Sequence, residues 1–259
     1  MLLNFSEQGS GDPVILLHGM FGSLSNLGNL ARHLSSHFRV ISVDLRNHGE
    51  SPHHQIMDLS SMAADVFVLM DYLDLDRASL VGHSLGGKVA MQAAMDEPHR
   101  IAKVVVADIS PVAYAPRQDA ALDGLTALHQ ADIENRHQAD EILATYVSEP
   151  QVRGFLLKNL CRSNEGGYKL RLNMASILQN YGTSLVAAPA GQPYKGQALF
   201  IKGELSAYIQ TKHGVTIDRM FPNNRRATIE GVGHWLHAEK PQEFNALVAE
   251  FLQRTEQMR

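Results

Sequence analysis

Short apolar runs that end in turn residues recur along the chain. They are Val14-Ile15-Leu16-Leu17, Val40-Ile41-Ser42-Val43, Ala78-Ser79-Leu80-Val81, Lys103-Val104-Val105-Val106-Ala107 and Ala198-Leu199-Phe200-Ile201, with a weaker one from Arg226 to Ile229. Runs without polar alternation are the pattern of strands buried on both faces of a parallel sheet. Between them the spacing turns helical. Leu59, Met62, Ala63, Val66, Leu69, Met70 and Leu73 follow the i, i+3, i+4, i+7 rule. Phe244, Leu247, Val248 and Phe251 do the same, with Pro241 suited to a first helical turn. Strand and helix in alternation predict an α/β fold, a mainly parallel sheet flanked by helices.

The alternation stops between about Pro111 and Gly196. No convincing strand stands out there, but three helical patterns do: Ala139, Ile142, Leu143, Tyr146 and Val147; then Val152, Phe155, Leu156 and Leu160; then Met174, Ile177, Leu178, Tyr181 and Leu185. The division expected is a core domain of residues 1–110 and 196–259, with 111–195 inserted as a helical cap, or lid, over the sheet's C-terminal edge. A peripheral bundle with no part in the site is the alternative.

Composition narrows the function classes. The chain has 259 residues, 44% of them apolar, and a formal net charge of −4 with both signs scattered. That suits one large domain. No stripe of Lys and Arg marks a nucleic-acid or membrane surface. No apolar run approaches the roughly 18 residues of a membrane-spanning helix. Met1-Leu2-Leu3-Asn4-Phe5 has neither the basic nor the sustained apolar part of a signal peptide, so a cytoplasmic protein is expected. Cys161 is the single cysteine and stands outside any metal-ligand spacing, which favours packing over a reactive thiol.

Chemistry enters with Gly82-His83-Ser84-Leu85-Gly86, a G-x-S-x-G motif that follows one predicted strand and opens a helical segment, Lys88 to Met95. On such a strand-to-helix turn the serine Oγ projects above the sheet, and side chains at either glycine would collide where strand and helix cross. Ser84 is the candidate nucleophile; a structural turn that merely contains a serine is the plain alternative. Tetrahedral acyl-transfer intermediates need two N–H donors on one oxygen. The candidates are Leu85, after the nucleophile, and Met20, in His18-Gly19-Met20-Phe21-Gly22 after the strand ending at Leu17, with Phe21 as fallback for the second. His18 is expected to brace that loop rather than serve as a base.

Among thirteen histidines, His234 lies in Gly231-Val232-Gly233-His234-Trp235, after the last predicted strand and before the final helix. That loop reaches the sheet edge of Ser84, so His234 is the expected general base, with His237 as competitor. Asp108 closes a strongly apolar run, where an unpaired carboxylate is costly and a histidine N–H would relieve it. It is preferred as the acid over Glu204; a helix cap is its plain reading. Ser206 is a possible auxiliary hydrogen-bonding group, and Phe21 and Trp235 suggest a lipophilic acyl pocket.

Five motifs in order carry a family resemblance: His18-Gly19-Met20-Phe21-Gly22-Ser23, Asp44-Leu45-Arg46-Asn47-His48-Gly49-Glu50-Ser51, Gly82-His83-Ser84-Leu85-Gly86-Gly87-Lys88, Asp108-Ile109-Ser110-Pro111-Val112, and Gly233 to Pro241. With them the chain resembles the α/β-hydrolase superfamily over nearly its whole length, and within it the YbfF-type bacterial esterases. The resemblance implies an eight-stranded sheet, a helical cap and hydrolysis of esters or acyl-CoA thioesters without a cofactor or metal. Many relatives carry the acid after the strand Ala198–Ile201; here that slot holds Ser206, and the resemblance supports Asp108 instead. Asp44 to Ser51 is read as a structural turn. Haloalkane dehalogenases and epoxide hydrolases share the fold but need a carboxylate where Ser84 stands. Serine-dependent carbon–carbon hydrolases, perhydrolases and a non-catalytic small-ligand-binding protein remain as other readings.

Overall fold

The computed structural model describes residues 1–115, 119–164 and 166–254. In chain order come β1 (Phe5–Gln8), β2 (Asp12–Leu17), α1 (Gly28–Leu34), β3 (Phe38–Val43), α2 (Leu59–Tyr72), β4 (Ala78–His83), α3 (Leu85–Asp96) and β5 (Ile101–Ala107). After the inserted segment follow further strands and helices, among them the sixth sheet strand, Gln197–Gly203, and the seventh, Asn224–Ile229. Pro241–Gln253 forms the last described helix, with Pro241 in its first turn. The sheet runs in the order β1, β3, β2, β4, β5, then these two strands, and every pairing is parallel except that of β1 with β3.

The unbroken apolar runs are explained by two cores, one on each face of the sheet. Ile15, Leu17, Ile41, Leu80, Val104 and Val106 pack with the apolar sides of α2 and α3. Their neighbours Val14, Leu16, Val40, Val81 and Val105 pack on the other face with Leu30 and Leu34 of α1 and Phe244, Val248 and Phe251 of the last helix. Residues one apart along a strand face opposite ways, so both sets must be apolar.

Two expectations need correction. The sheet has seven strands among the described residues, not eight. Its antiparallel side ends at β1, whose Phe5-Ser6-Glu7-Gln8 is mostly exposed and whose Glu7 pairs with Arg39. A polar, charged edge offers no apolar face to bury beneath a further strand. Nor is the inserted segment free of strands. After α4 (Ala120–Gln130), α5 (Arg136–Ala144) and α6 (Pro150–Leu156) come β6 (Leu160–Arg162) and β7 (Tyr168–Leu170), an antiparallel pair, and then α7 (Met174–Asn180). Strands of three residues are too short to show a period of two.

The segment is fastened to the loops above the sheet. The Asn159 side-chain amide donates to the Phe21 carbonyl at 2.8 Å, and Asn47 donates to the Ser176 hydroxyl at 3.0 Å. The following strands can now be labelled β8 (Gln197–Gly203) and β9 (Asn224–Ile229), separated by α8 (Gly214–Met220); α9 (Leu236–Glu239) and α10 (Pro241–Gln253) complete the chain described.

Candidate active site

Ser84 occupies the single-residue turn between β4 and α3, with φ of 51° and ψ of −116°. A non-glycine residue at positive φ is strained, and here the surroundings leave no alternative. Its N–H donates to the Ala107 carbonyl at 2.9 Å, fixing the turn to the end of β5. A Cβ on Gly82 would lie 2.2 Å from the Gly86 carbonyl oxygen, and one on Gly86 equally close to that of Leu17. Both glycines are therefore steric requirements of the crossing.

His234 reaches Ser84 from the loop between β9 and α9. Gly231 takes φ of 67° there, and the Glu239 carboxylate accepts the Gly233 N–H at 3.0 Å. His234 Nε2 lies 3.0 Å from Ser84 Oγ, and Nδ1 lies 2.8 Å from Asp108 Oδ2. A carboxylate on Nδ1 fixes the proton there and leaves the Nε2 lone pair to accept from the serine. The Tyr208 ring stacks on the imidazole, with centroids 4.2 Å apart and planes at 28°. The His234 carbonyl accepts the Nε2–H of His83 at 2.8 Å.

Asp108 is fully buried at the end of β5, at φ of 52°. Its Oδ1 accepts the Gly203 N–H at 3.1 Å, while Oδ2 takes both His234 Nδ1–H and the Ser206 hydroxyl. Three donors compensate the buried charge. Its rival Glu204 is exposed and turned away, accepting the Gly231 N–H at 2.8 Å.

Met20 and Leu85 both line the cavity beside Ser84. Neither N–H donates to any partner among the described residues. The Phe21 N–H, by contrast, is committed to His48 Nε2 at 3.2 Å. His18 braces the loop as expected. It donates from Nδ1 to the Gly19 carbonyl at 2.7 Å and accepts the Leu45 N–H on Nε2 at 3.0 Å. Asp44 likewise serves structure, accepting from the backbone of Leu24 and Glu50 and from the Asn4 amide.

Burial holds several of these histidines neutral. It lowers His18 and takes His83 well below the ordinary value, with the neighbouring His237 and His234 adding to the latter shift. His48 is pushed down to about 3 and His237 to about 4, each chiefly by burial. His237 does not touch Ser84. Its ring packs 4.4 Å from that of His83, and its Nδ1 has no hydrogen-bond partner among the described residues.

Ser84 and His234 open onto a cavity of about 790 Å³. Phe21 and Trp235 line it, the latter with its ring 6.1 Å from Phe155 of α6. Tyr114, Leu156, Tyr181 and Leu185 of the inserted segment close other sides. Among the described residues no cluster of three or more His, Cys, Asp or Glu side chains is arranged to hold a metal ion, and no helix is long and apolar enough to cross a membrane. Tyr208 and Lys88 were not singled out from the sequence. Tyr208 gave no local signal, whereas Lys88 stands four residues after Ser84, one helical turn on, which puts the two on one face.

Residues 12–241 match the family profile described as alpha/beta hydrolase fold. The chain is 37% identical over 236 residues to the esterase YbfF of Escherichia coli, covering 91% of each. It is 38% identical over 252 residues to the sn-1-specific diacylglycerol lipase ABHD11 of Xenopus tropicalis, covering 94% of this chain and 78% of that protein. A marine microorganism esterase of known structure superposes with a TM-score of 0.93 at 36% identity, covering 96% of this chain and 99% of that one.

Proposed function

The chain belongs to the α/β-hydrolase fold family, and from that premise we propose that it is a serine hydrolase of carboxylic esters, acyl-CoA thioesters or both. The observation that carries the reading is the continuous chain from Ser84 Oγ through His234 to Asp108, at 3.0 and 2.8 Å. Ser84 attacks the acyl carbonyl while His234 Nε2 takes its proton. Asp108 holds the ring and stabilises the imidazolium, with the Ser206 hydroxyl sharing the same carboxylate oxygen. The N–H groups of Met20 and Leu85 bind the oxyanion. The alcohol or thiol leaves with the proton from His234, which then activates water to release the acid and restore the serine. Residues 111–195 act as the lid, with Phe21 and Trp235 on the acyl side of the cavity. A serine hydroxyl in line with an imidazole and a buried carboxylate favours this over carboxylate-nucleophile chemistry, and no second reading has an observation of its own.

The test is labelling by a fluorophosphonate probe together with turnover of p-nitrophenyl esters and acyl-CoAs of increasing chain length. Both are expected for the wild type and neither for Ser84→Ala. A folded wild type that shows neither labelling nor turnover refutes the proposal, and the ratio of ester to thioester rates ranks the two substrate classes.

A further inference from the structure

Lys88 is the unusual group on the cavity wall. Its side chain is only 2% exposed, yet it lines the same cavity as Ser84. Among the described residues it faces two partners. The Ala187 carbonyl accepts one of its N–H groups, and the Tyr114 ring lies 4.9 Å from Nζ. It makes no ion pair among the described residues, although an ammonium carries three donors and a buried charge is ordinarily compensated. Among the described residues the one carboxylate on the cavity lining, Asp119, is engaged elsewhere. It accepts the N–H groups of Ala121 and Leu122 at the start of α4 and the Tyr181 hydroxyl. Burial lowers Lys88 to about 8, so at neutral pH it is still mostly a cation.

We propose that Lys88 receives a carboxylate on the substrate, so that the preferred substrates are half-esters or half-thioesters of short dicarboxylic acids, or acyl groups ending in a carboxylate. The proposal rests on the hydrolase reading, because it assigns the far end of a substrate whose carbonyl sits at Ser84. Lys88 follows Ser84 by one helical turn, a backbone rise of about 6 Å, and both side chains line one cavity, so a short substrate can meet both. A single negative charge is favoured over a phosphate. One cation against apolar Ile109, Leu185 and Val186 would leave the second charge of a phosphate dianion uncompensated.

The other groups near Lys88 stay out of its titration. Burial raises Tyr114 to about 12, and His83 and His237 are held neutral. Lys212 is exposed at the rim. The measurement is the ratio of kcat/KM for p-nitrophenyl hydrogen glutarate to that for p-nitrophenyl hexanoate, between pH 7 and 9. A ratio of two esters cancels the titration of His234, and kcat/KM reports the free enzyme. The ratio is expected to fall about tenfold or more in Lys88→Met, as for loss of a charge-assisted hydrogen bond. In the wild type it is expected to fall as pH passes 8, while the glutarate carboxylate remains ionised. A wild-type ratio indifferent to pH overturns the proposal, even where Lys88→Met fails to fold. So does an unchanged ratio in a folded Lys88→Met, which would leave the lysine as a tie to Ala187. If the wild type hydrolyses neither ester, the hydrolase reading fails by itself. Calorimetric titration with monomethyl glutarate, which carries one free carboxylate, at pH 7 and 9 then decides the site: binding at the lower pH alone supports it, and no binding refutes it.

Discussion

The strand-end wall of the cavity and the aspartate buried behind it place three non-glycine residues at positive φ: Phe21 at 60°, Ser84 at 51° and Asp108 at 52°. The wall supplied by residues 111–195 presents Phe155, Leu156, Tyr181 and Leu185 from helical or π-helical turns, without such strain. The first wall is built from buried polar groups whose hydrogen bonds are nearly all assigned. The second is largely apolar and tied down by a few side-chain hydrogen bonds. Backbone strain is thus concentrated where atoms must be held to fractions of an ångström, and general apolar contact suffices where a chain need only be accommodated.

Substitution separates the walls most sharply at the reacting groups. Ser84→Ala should lower kcat about a million-fold and Asp108→Asn about ten-thousand-fold, with the fold retained by circular dichroism. Near-normal rates in Asp108→Asn would move the acid elsewhere and dissolve the contrast. Gly86→Ala comes next, because its Cβ would meet the Leu17 backbone. A loss of about 3 kcal/mol or more in urea unfolding is expected, and a loss below 1 kcal/mol would show that the crossing can relax.

Acid should also attack the first wall selectively, since the described residues of 111–195 that line the cavity include no histidine. His48 and His237 keep values of about 3 and 4 when folded, whereas an unfolded histidine protonates near 6.5. The unfolded chain therefore binds more protons below that pH. Stability is full above about 6.5 and drains as pH falls towards 4, by up to about 1.4 kcal/mol per unit for each such histidine. A thermal midpoint that stays level from pH 7.5 to 5 would contradict neutral burial. The smallest effect belongs to the second wall. Phe155→Ala should change KM for long-chain esters by less than about tenfold with little change in kcat. A kcat loss comparable to that of Asp108→Asn would mean that the two walls are not distinct in kind.

The sequence made some of this legible and hid the rest for physical reasons. Strands β2 to β5 and β8 showed themselves because burial on both faces leaves no room for polar residues. The serine turn was readable because its glycines are dictated by contacts within a few residues and one neighbouring strand. Asp108 was readable as a charge closing an apolar run. β1 was not, since an exposed edge strand needs no apolar face, and neither was the β6–β7 pair. The stacking of Tyr208 on His234 joins loops 26 residues apart and leaves no periodic trace. Lys88 reads as an ordinary surface lysine of a helix until the segment carrying Tyr114 and Ala187 covers it.

One feature of the sheet bears on how such a site can change over time. β5 and β8 lie side by side in register, with Ala107 opposite Ile201, and the Asp108 N–H donates to the Ile201 carbonyl at 2.8 Å. The ends of the two strands therefore offer adjoining seats for one negative charge beneath the same imidazole. Ser206 occupies the second seat and already touches the charge in the first. A lineage could shift its acid from one strand to the next by passing through a sequence with a carboxylate in both, never leaving the histidine unsupported. The sheet would then be the inherited part, and the address of the acid a matter of history.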